Sequence, residues 1–141
     1  MIIILDFNRT IYDPDTKDLV PGALALLQYL KGKQAEVHLI SRKEEGREDL
    51  LQTFGIASYF NSVTFTEDKE PAMEKLIKAH PVPVYVVGDH LHNEVRLGNR
   101  YGARTIWLRR GRFKDLEPET HEDVPWQTIA ELTEAPDFLT D

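Results

Sequence analysis

The stretch "IIILDFNRT", residues 2–10, decides the fold expected for this chain. Its apolar run Ile2–Leu5 has the length of a buried β-strand, and it stops at the carboxylate of Asp6. Similar short apolar runs recur along the chain, at residues 37–40, 63–65, 84–87 and 105–108. We therefore predict five strands, and Asp6 lies where the first of them ends.

Helical patterns lie between the predicted strands. Apolar residues at helical spacing mark four helices: Leu24, Leu27 and Leu30; Leu50, Leu51 and Phe54; Met73, Leu76 and Ile77; Val95 and Leu97. An amphipathic segment at 126–132 predicts one more helix, and the polar segment 111–125 predicts a surface loop. This alternation favours right-handed crossovers and an α/β fold, a mainly parallel five-stranded sheet between two layers of helices.

Length and composition restrict the classes of protein. A chain of 141 residues, 41% of them hydrophobic, predicts a single domain over 1–141. No apolar run has the length of a membrane span, no secretory signal is evident, and the lack of cysteine excludes disulfides and fits a cytoplasmic location. A net charge of −7 argues against nucleic-acid binding, and we interpret Arg109, Arg110 and Arg112 as a solvated charged loop.

Polar residues follow four successive predicted strands: Asp6, Ser41, Lys69, and Asp89 with Glu94. In an open α/β sheet, ligands bind at the carboxyl ends of the strands, so we expect these side chains to meet. Two carboxylates there suit Mg²⁺, and a carboxylate can also act as a nucleophile. A hydroxyl and an ammonium group supply donors for phosphate oxygens. The pattern predicts a magnesium-dependent phosphoryl-transfer site.

Four segments resemble the motifs of the haloacid dehalogenase (HAD) superfamily, in the same order. They are "IIILDFNRT", "HLIS", Lys69 within "DKEP", and "VVGDHLHNE". The segment "EDVPWQTIAEL" is similar to the family's final strand and helix. The resemblance implies a Rossmann-like sheet and a phosphohydrolase or phosphotransferase that uses Mg²⁺.

The resemblance also assigns roles to individual residues. It implies that Asp6 is the nucleophile and that Ser41 and Lys69 stabilise the phosphate and the intermediate. The implied metal ligands are Asp6, the backbone carbonyl of Asn8, Asp89 and Glu94. We predict substrate contacts at Ser41 and Lys69, and also at Arg42 and His90.

Asn8 departs from the family pattern, since the family's phosphatases carry a second Asp there for general acid–base catalysis. That function contributes roughly 10²–10⁴-fold to the rate, and an amide cannot perform it. Three outcomes stay open: a slow phosphatase, a phosphatase for substrates whose leaving group needs no proton, and a binding or regulatory protein without turnover. A further hypothesis is that His90 donates the proton that Asn8 cannot supply.

The spacing of the motifs predicts that no cap domain covers the site. Only 35 positions separate Asp6 from Ser41, and 28 separate Ser41 from Lys69. An open site suits a macromolecular phosphate ester or an oligomer that shields a smaller one. A phospho-acceptor receiver domain is disfavoured, because its phospho-acceptor Asp follows the third strand.

Overall fold

The computed structural model describes residues 1–140, so residue 141, the last of the predicted domain, lies outside the described residues. Within 1–140 the strands are β1 Ile2–Leu5, β2 Tyr12–Asp13, β3 Asp18–Leu19, β4 Glu36–Arg42, β5 Ser62–Thr66, β6 Tyr85–Gly88, β7 Arg104–Leu108 and β8 Gln127–Ile129. Six of these form one parallel sheet in the order β5-β4-β1-β6-β7-β8. The other two, β2 and β3, form a small antiparallel hairpin after β1.

The four predicted helices are present. They are α1 Ala23–Gly32, α2 Arg47–Thr53, α3 Glu70–Lys78 and α4 Arg96–Arg100, and a π-helical turn, Leu91–Val95, leads directly into α4. Short 3₁₀ turns complete the chain at Ala57–Tyr59, Gly111–Phe113, His121–Asp123 and Leu132–Phe138. No helix in residues 1–140 is both long and apolar enough to cross a membrane.

The first strand is buried on both faces. Ile3 and Leu5 belong to the core that contains α1, whereas Ile4 belongs to a second cluster with Met73 and Ile77 of α3. Because successive side chains of a strand point to opposite faces, a continuous apolar run fits a strand between two helical layers. The predicted α/β three-layer architecture is confirmed.

The sheet has six strands within 1–140, and the prediction of five was wrong in that number. The spacing of apolar residues predicted a helix over 126–132, whereas the resemblance implied a strand and then a helix; the segment forms β8 and the start of a 3₁₀ turn. Strand β8 pairs in parallel with β7, which places Ile129 in the core and leaves Thr128 exposed. Apolar residues three positions apart fit a helix, but the β-branched pair Thr128 and Ile129 and the free edge of β7 favour a strand.

The order of the strands locates the functional edge of the sheet. Strand β1 lies between β4 on one side and β6 on the other, so the direction of the crossovers reverses at β1. Ligands of open α/β sheets bind at such a switch point, beyond the carboxyl ends of the strands. Asp6 leaves β1 there, and Asp89 leaves β6.

Candidate active site

A tight turn fixes the carboxylate of Asp6. The carbonyl of Phe7 accepts hydrogen bonds from the amides of residues 10–12, and Arg9 takes the left-handed conformation with φ of 64°. The turn brings Thr10 close to Asp6, and Thr10 Oγ1 donates a hydrogen bond to Asp6 Oδ2 over 3.3 Å. A non-glycine residue at positive φ is uncommon, which indicates that the surrounding contacts impose the turn.

Three carboxylates meet at the ends of β1 and β6. Asp6, Asp89 and Glu94 are buried, and each offers an oxygen within 4.8 Å of the others. The amide of His90 donates to Glu94 Oε1 over 3.0 Å. A Cβ atom at Gly88 would lie 2.1 Å from Glu94 Cγ, so Glu94 reaches the cluster only because residue 88 has no side chain.

Lys69, the residue before α3, provides the cation of this cluster. Its Nζ lies 2.8 Å from Asp6 Oδ1 and 3.3 Å from Glu94 Oε2, and its side chain is also buried. Burial by itself lowers the pKa of Lys69, but the charges of Asp6 and Glu94 together outweigh it and raise that pKa above the ordinary value. Lys69 therefore stays protonated and bridges the two carboxylates.

A single lysine does not balance three buried acids. Burial, followed by the charge of Glu94, raises the pKa of Asp6 to about 6, although Lys69 opposes the shift. Burial and the charges of Glu94 and Asp6 raise the pKa of Asp89 to about 10. Asp89 Oδ2 is buried and has no hydrogen-bond partner among residues 1–140. The cluster thus has surplus negative charge and a free ligand atom, which are the properties of a cation site.

The two neighbouring residues at the end of β4 differ in their surroundings. Ser41 is fully buried, and its Oγ has no hydrogen-bond partner within residues 1–140. It is not among the residues that line the cavity around Asp6. Arg42 is exposed and lines that cavity.

Asn8 lies beside the carboxylate cluster and is held by a residue far away in the sequence. Arg47, at the start of α2, donates from Nε to Asn8 Oδ1 over 2.8 Å. The backbone carbonyl of Asn8 accepts no hydrogen bond from residues 1–140, so it is available to a ligand. No pattern in the sequence links positions 8 and 47.

His90 follows Asp89 and forms part of the same wall. Its ring packs against Phe113 with 4.3 Å between the ring centroids, and its Nδ1 accepts from the amide of His92 over 3.2 Å. Since Nδ1 is an acceptor, the proton of the neutral ring lies on Nε2. Burial, together with the charge of His92, lowers the pKa of His90 below its ordinary value.

These residues surround an open cavity of about 420 Å³, within the range of ligand sites. Its lining comprises Asp6, Asn8, Arg9, Pro14, Arg42, Glu44, Lys69, Asp89, His90, Asn93, Glu94, Arg112 and Phe113. Arg112 is part of it, so this residue of the predicted charged loop reaches the candidate site. Thr10 and Asn93 were not predicted as site residues, although both lie within motifs that the sequence reveals. Phe113, which also lines the cavity, was not predicted either.

A second group of possible metal ligands, His92, Glu119 and Asp123, has a structural explanation. Asp123 is buried and accepts from Arg96 Nε over 2.6 Å and from Arg96 Nη2 over 2.9 Å. The amide of Glu119 also donates to it. These donors already satisfy the carboxylate of Asp123. The group therefore serves to hold the 111–125 segment against α4 through hydrogen bonds and ion pairs.

Known proteins match both the sequence and the fold. A family model described as HAD-hydrolase-like matches residues 69–135. Over 84 residues the chain is 34% identical to the glyceraldehyde 3-phosphate phosphatase of Methanopyrus kandleri, an overlap of 53% of this chain and 36% of that protein. The chain therefore spans about a third of the length of this curated relative.

Two solved structures share the fold over nearly their whole length. An uncharacterized protein from Listeria monocytogenes serotype 4b has a TM-score of 0.78 at 17% identity, covering 98% of this chain and 96% of that one. The D,D-heptose 1,7-bisphosphate phosphatase from B. bronchiseptica, complexed with magnesium and phosphate, has a TM-score of 0.74 at 13% identity, covering 98% and 97%. The match of residues 69–135 to this family model and the similar phosphatase support membership of the haloacid dehalogenase superfamily, and the two solved structures share the fold.

Proposed function

We propose that this protein is a magnesium-dependent phosphohydrolase or phosphotransferase that acts through an aspartyl-phosphate on Asp6. The observation that carries the proposal is the convergence of Asp6, Asp89 and Glu94, with Lys69 between them, at the ends of neighbouring parallel strands. Two relatives that are named as phosphatases support the same chemistry.

The residues at this edge fit a magnesium ion. Asp6, Asp89 and Glu94 offer closely spaced oxygens, and Asp89 Oδ2 is buried without a partner. The free backbone carbonyl of Asn8 adds an oxygen whose availability does not depend on the side chain at that position. Magnesium prefers such oxygen ligands, and when bound it would supply charge that offsets the phosphoryl oxygens in the transition state.

Asp6 supplies the nucleophilic oxygen. Its attack on phosphorus forms an acyl-phosphate bond and breaks the bond between phosphorus and the leaving oxygen, which departs with the electron pair. A water molecule then attacks the same phosphorus and breaks the bond to Asp6. Both hydrogens of that water end on the inorganic phosphate, and the carboxylate of Asp6 is regenerated.

The cationic groups of the cavity orient the substrate. Lys69 holds the carboxylate of Asp6 and keeps it ionised for attack. Arg42 makes no side-chain contact with residues 1–140 that would occupy it, so its guanidinium is free for phosphoryl oxygens. The unpaired hydroxyl of Ser41 takes part only if substrate binding opens a path to it.

The leaving oxygen receives its proton from a residue other than Asn8. The ring of His90 lies in the wall of the cavity, and its protonated imidazolium form can donate the Nε2 proton and return to the neutral ring. We assign His90 to this step. Because burial lowers the pKa of His90, only a minority of molecules carry that proton at neutral pH, so we expect the enzyme to be slower than relatives that carry the second Asp.

The substrate is a phosphate ester that enters an open cavity. Between β1 and β4 the described chain holds only the β2–β3 hairpin and α1, and between β4 and β5 only α2 and a 3₁₀ turn, which supports a site without a cap domain. The relatives named above act on a triose phosphate and a heptose bisphosphate. Small sugar phosphates are therefore the first substrates to test, followed by macromolecular esters.

A phosphate-release assay on a panel of esters, with and without Mg²⁺, tests the proposal. Wild type is expected to release phosphate only with Mg²⁺, and Asp6→Asn to release none. Activity that survives in Asp6→Asn contradicts the proposal. Activity that appears only in Asn8→Asp supports instead a binding or regulatory protein that has lost turnover.

A further inference from the structure

The contact between Arg47 and Asn8 fixes which end of the amide faces the cavity. Arg47 Nε lies 2.8 Å from the atom assigned as Asn8 Oδ1. A guanidinium carries only donors, so its partner must be the amide oxygen. The amide nitrogen of Asn8 is therefore turned away from Arg47. It forms no hydrogen bond within residues 1–140 and is not among the buried unpaired atoms.

Arg47 is itself held by contacts that do not involve Asn8. Its Nη2 donates to Glu44 Oε2 over 2.9 Å, and its guanidinium lies over the ring of Tyr12 at 5.2 Å from the centroid. Tyr12 is buried and stacks on Phe7. A planar guanidinium with both contacts in place is pre-organised. The orientation of Asn8 is thus imposed by Arg47.

The cavity needs such a donor. Asn8 lies in the same lining as Asp6, Asp89 and Glu94, whose carboxylates repel a phosphoryl group until a cation offsets them. An amide N–H adds a hydrogen bond to a phosphoryl oxygen without adding charge. A carboxylate at position 8 would pair with Arg47 and present no N–H to the cavity.

We propose that Arg47 is a positioning residue, which turns the amide of Asn8 so that its N–H groups bind the phosphoryl oxygens of the substrate. This inference rests on the function proposed above, since it assigns a task to position 8 within the same site. Asn8 is then the residue type that the arrangement requires, and replacing it by Asp removes a substrate contact.

A double-mutant cycle separates positioning from a general structural effect. Asn8→Ala and Arg47→Met are each expected to raise KM for p-nitrophenyl phosphate by about 10- to 100-fold, the value of one hydrogen bond to a charged group. Because the donor binds the phosphoryl group in the ground state and the transition state alike, kcat changes little. The double variant is expected to match Asn8→Ala, since Arg47 acts only through that amide. Arg47→Lys keeps a donor and regains most of the affinity.

Arg100→Met is the matched control. Arg100 also pairs with acids on the surface, Glu70 at 2.8 Å and Glu122 at 3.1 Å, but it does not line the cavity around Asp6. Its kcat and KM are expected to equal those of wild type. If the double variant binds substrate clearly more weakly than Asn8→Ala, or if Arg47→Met keeps the wild-type KM, the inference is wrong and the proposed function stands.

A readout without turnover completes the test. In ¹⁵N NMR of the protein with Mg²⁺, inorganic phosphate is expected to shift the side-chain amide of Asn8 in wild type, and to shift it less in Arg47→Met. A shift of that amide in a protein that hydrolyses no ester supports the inference and rejects the proposed turnover. Phosphate that perturbs the amides of residues 88–94 but leaves the Asn8 side chain unmoved overturns the inference. Phosphate that perturbs no resonance overturns both.

Discussion

Lys69 Nζ lies 2.8 Å from Asp6 Oδ1, and both side chains are only 6% exposed. Removing one partner of a buried ion pair leaves the other charge uncompensated, which costs about 3–5 kcal/mol. Lys69→Met is therefore expected to lower the free energy of unfolding by about that amount in urea denaturation without metal. Added Mg²⁺ is expected to restore part of the loss, because it replaces positive charge beside Asp6.

Lys78→Met provides the matched control for that variant. Lys78 also forms a 2.9 Å ion pair, with Glu74, but its side chain is 64% exposed. Exposed helical pairs contribute about 0.3–0.5 kcal/mol, so this variant is expected to unfold almost as wild type does. Equal stability of the two variants would contradict the importance assigned to the buried pair.

Gly88→Ala tests how Glu94 reaches the cluster. A Cβ at position 88 would lie 2.1 Å from Glu94 Cγ, so the carboxylate must move away from Asp6 and Asp89. We expect a loss of about 1–3 kcal/mol of stability from overpacking and a clear loss of Mg²⁺ affinity in calorimetric titration. Gly32→Ala, where a Cβ meets nothing within 4 Å, is the control and is expected to leave Mg²⁺ binding unchanged. Wild-type Mg²⁺ affinity in Gly88→Ala would exclude Glu94 as a ligand.

The pKa of Asp89 predicts an unusual pH dependence for the metal-free protein. The folded chain raises this pKa to about 10 from the ordinary value of 3.8, so folded Asp89 keeps its proton where the unfolded chain has released it. Its contribution to stability is thus fully present below about pH 4 and is lost as the pH rises towards 10. Asp6, with a pKa of about 6, acts in the same direction over a narrower range.

Asp89→Asn isolates this effect. In chelator-treated samples, the Tm of wild type is expected to fall relative to that of Asp89→Asn as the pH rises from 5 to 9. Saturating Mg²⁺ is expected to reverse the order, because it binds the ionised carboxylate and stabilises the folded state by mass action. Parallel Tm curves for the two proteins without metal would show that the pKa of Asp89 is not raised.

His90→Ala tests the proton donor. For an alkyl phosphate, whose leaving oxygen needs a proton, kcat is expected to fall by about 10²-fold, the lower end for general acid catalysis. For p-nitrophenyl phosphate, which departs as a stable anion, the loss is expected to be small. His80→Ala is the control, since His80 lies at the end of α3 and outside the cavity. Unchanged kcat for the alkyl ester rules His90 out.

Much of the fold was predictable because the spacing of apolar residues along the sequence indicates which side chains are buried. The run Ile2–Leu5 is buried on both faces, and a pattern of that kind has few alternatives to a central parallel strand. Strand β8 was not predictable in the same way. Its apolar residues are spaced as on a helix, and the strand is favoured by the β-branched pair Thr128 and Ile129 and by the free edge of β7.

The candidate site was predictable where a residue ends a strand. Asp6, Lys69 and Asp89 share one edge of the sheet because parallel strands bring their carboxyl ends together. The burial of Ser41 was not predicted. Side chains alternate between the two faces of the sheet along β4, and the exact limits of the strand decide on which face Ser41 lies. The contact between Arg47 and Asn8 depends on where α2 packs, and no local pattern encodes that position.

Trapping the aspartyl-phosphate on Asp6 tests the proposed mechanism directly. Wild type and Asp6→Asn would each be mixed with ³²P-labelled phosphate ester and Mg²⁺, quenched in acid and digested, and the labelled peptide identified. We expect label on the wild-type peptide that contains Asp6, because no carboxylate at position 8 activates the water that hydrolyses the intermediate, and we expect no label in Asp6→Asn. Label on another peptide, or equal label in both proteins, would contradict the proposed mechanism.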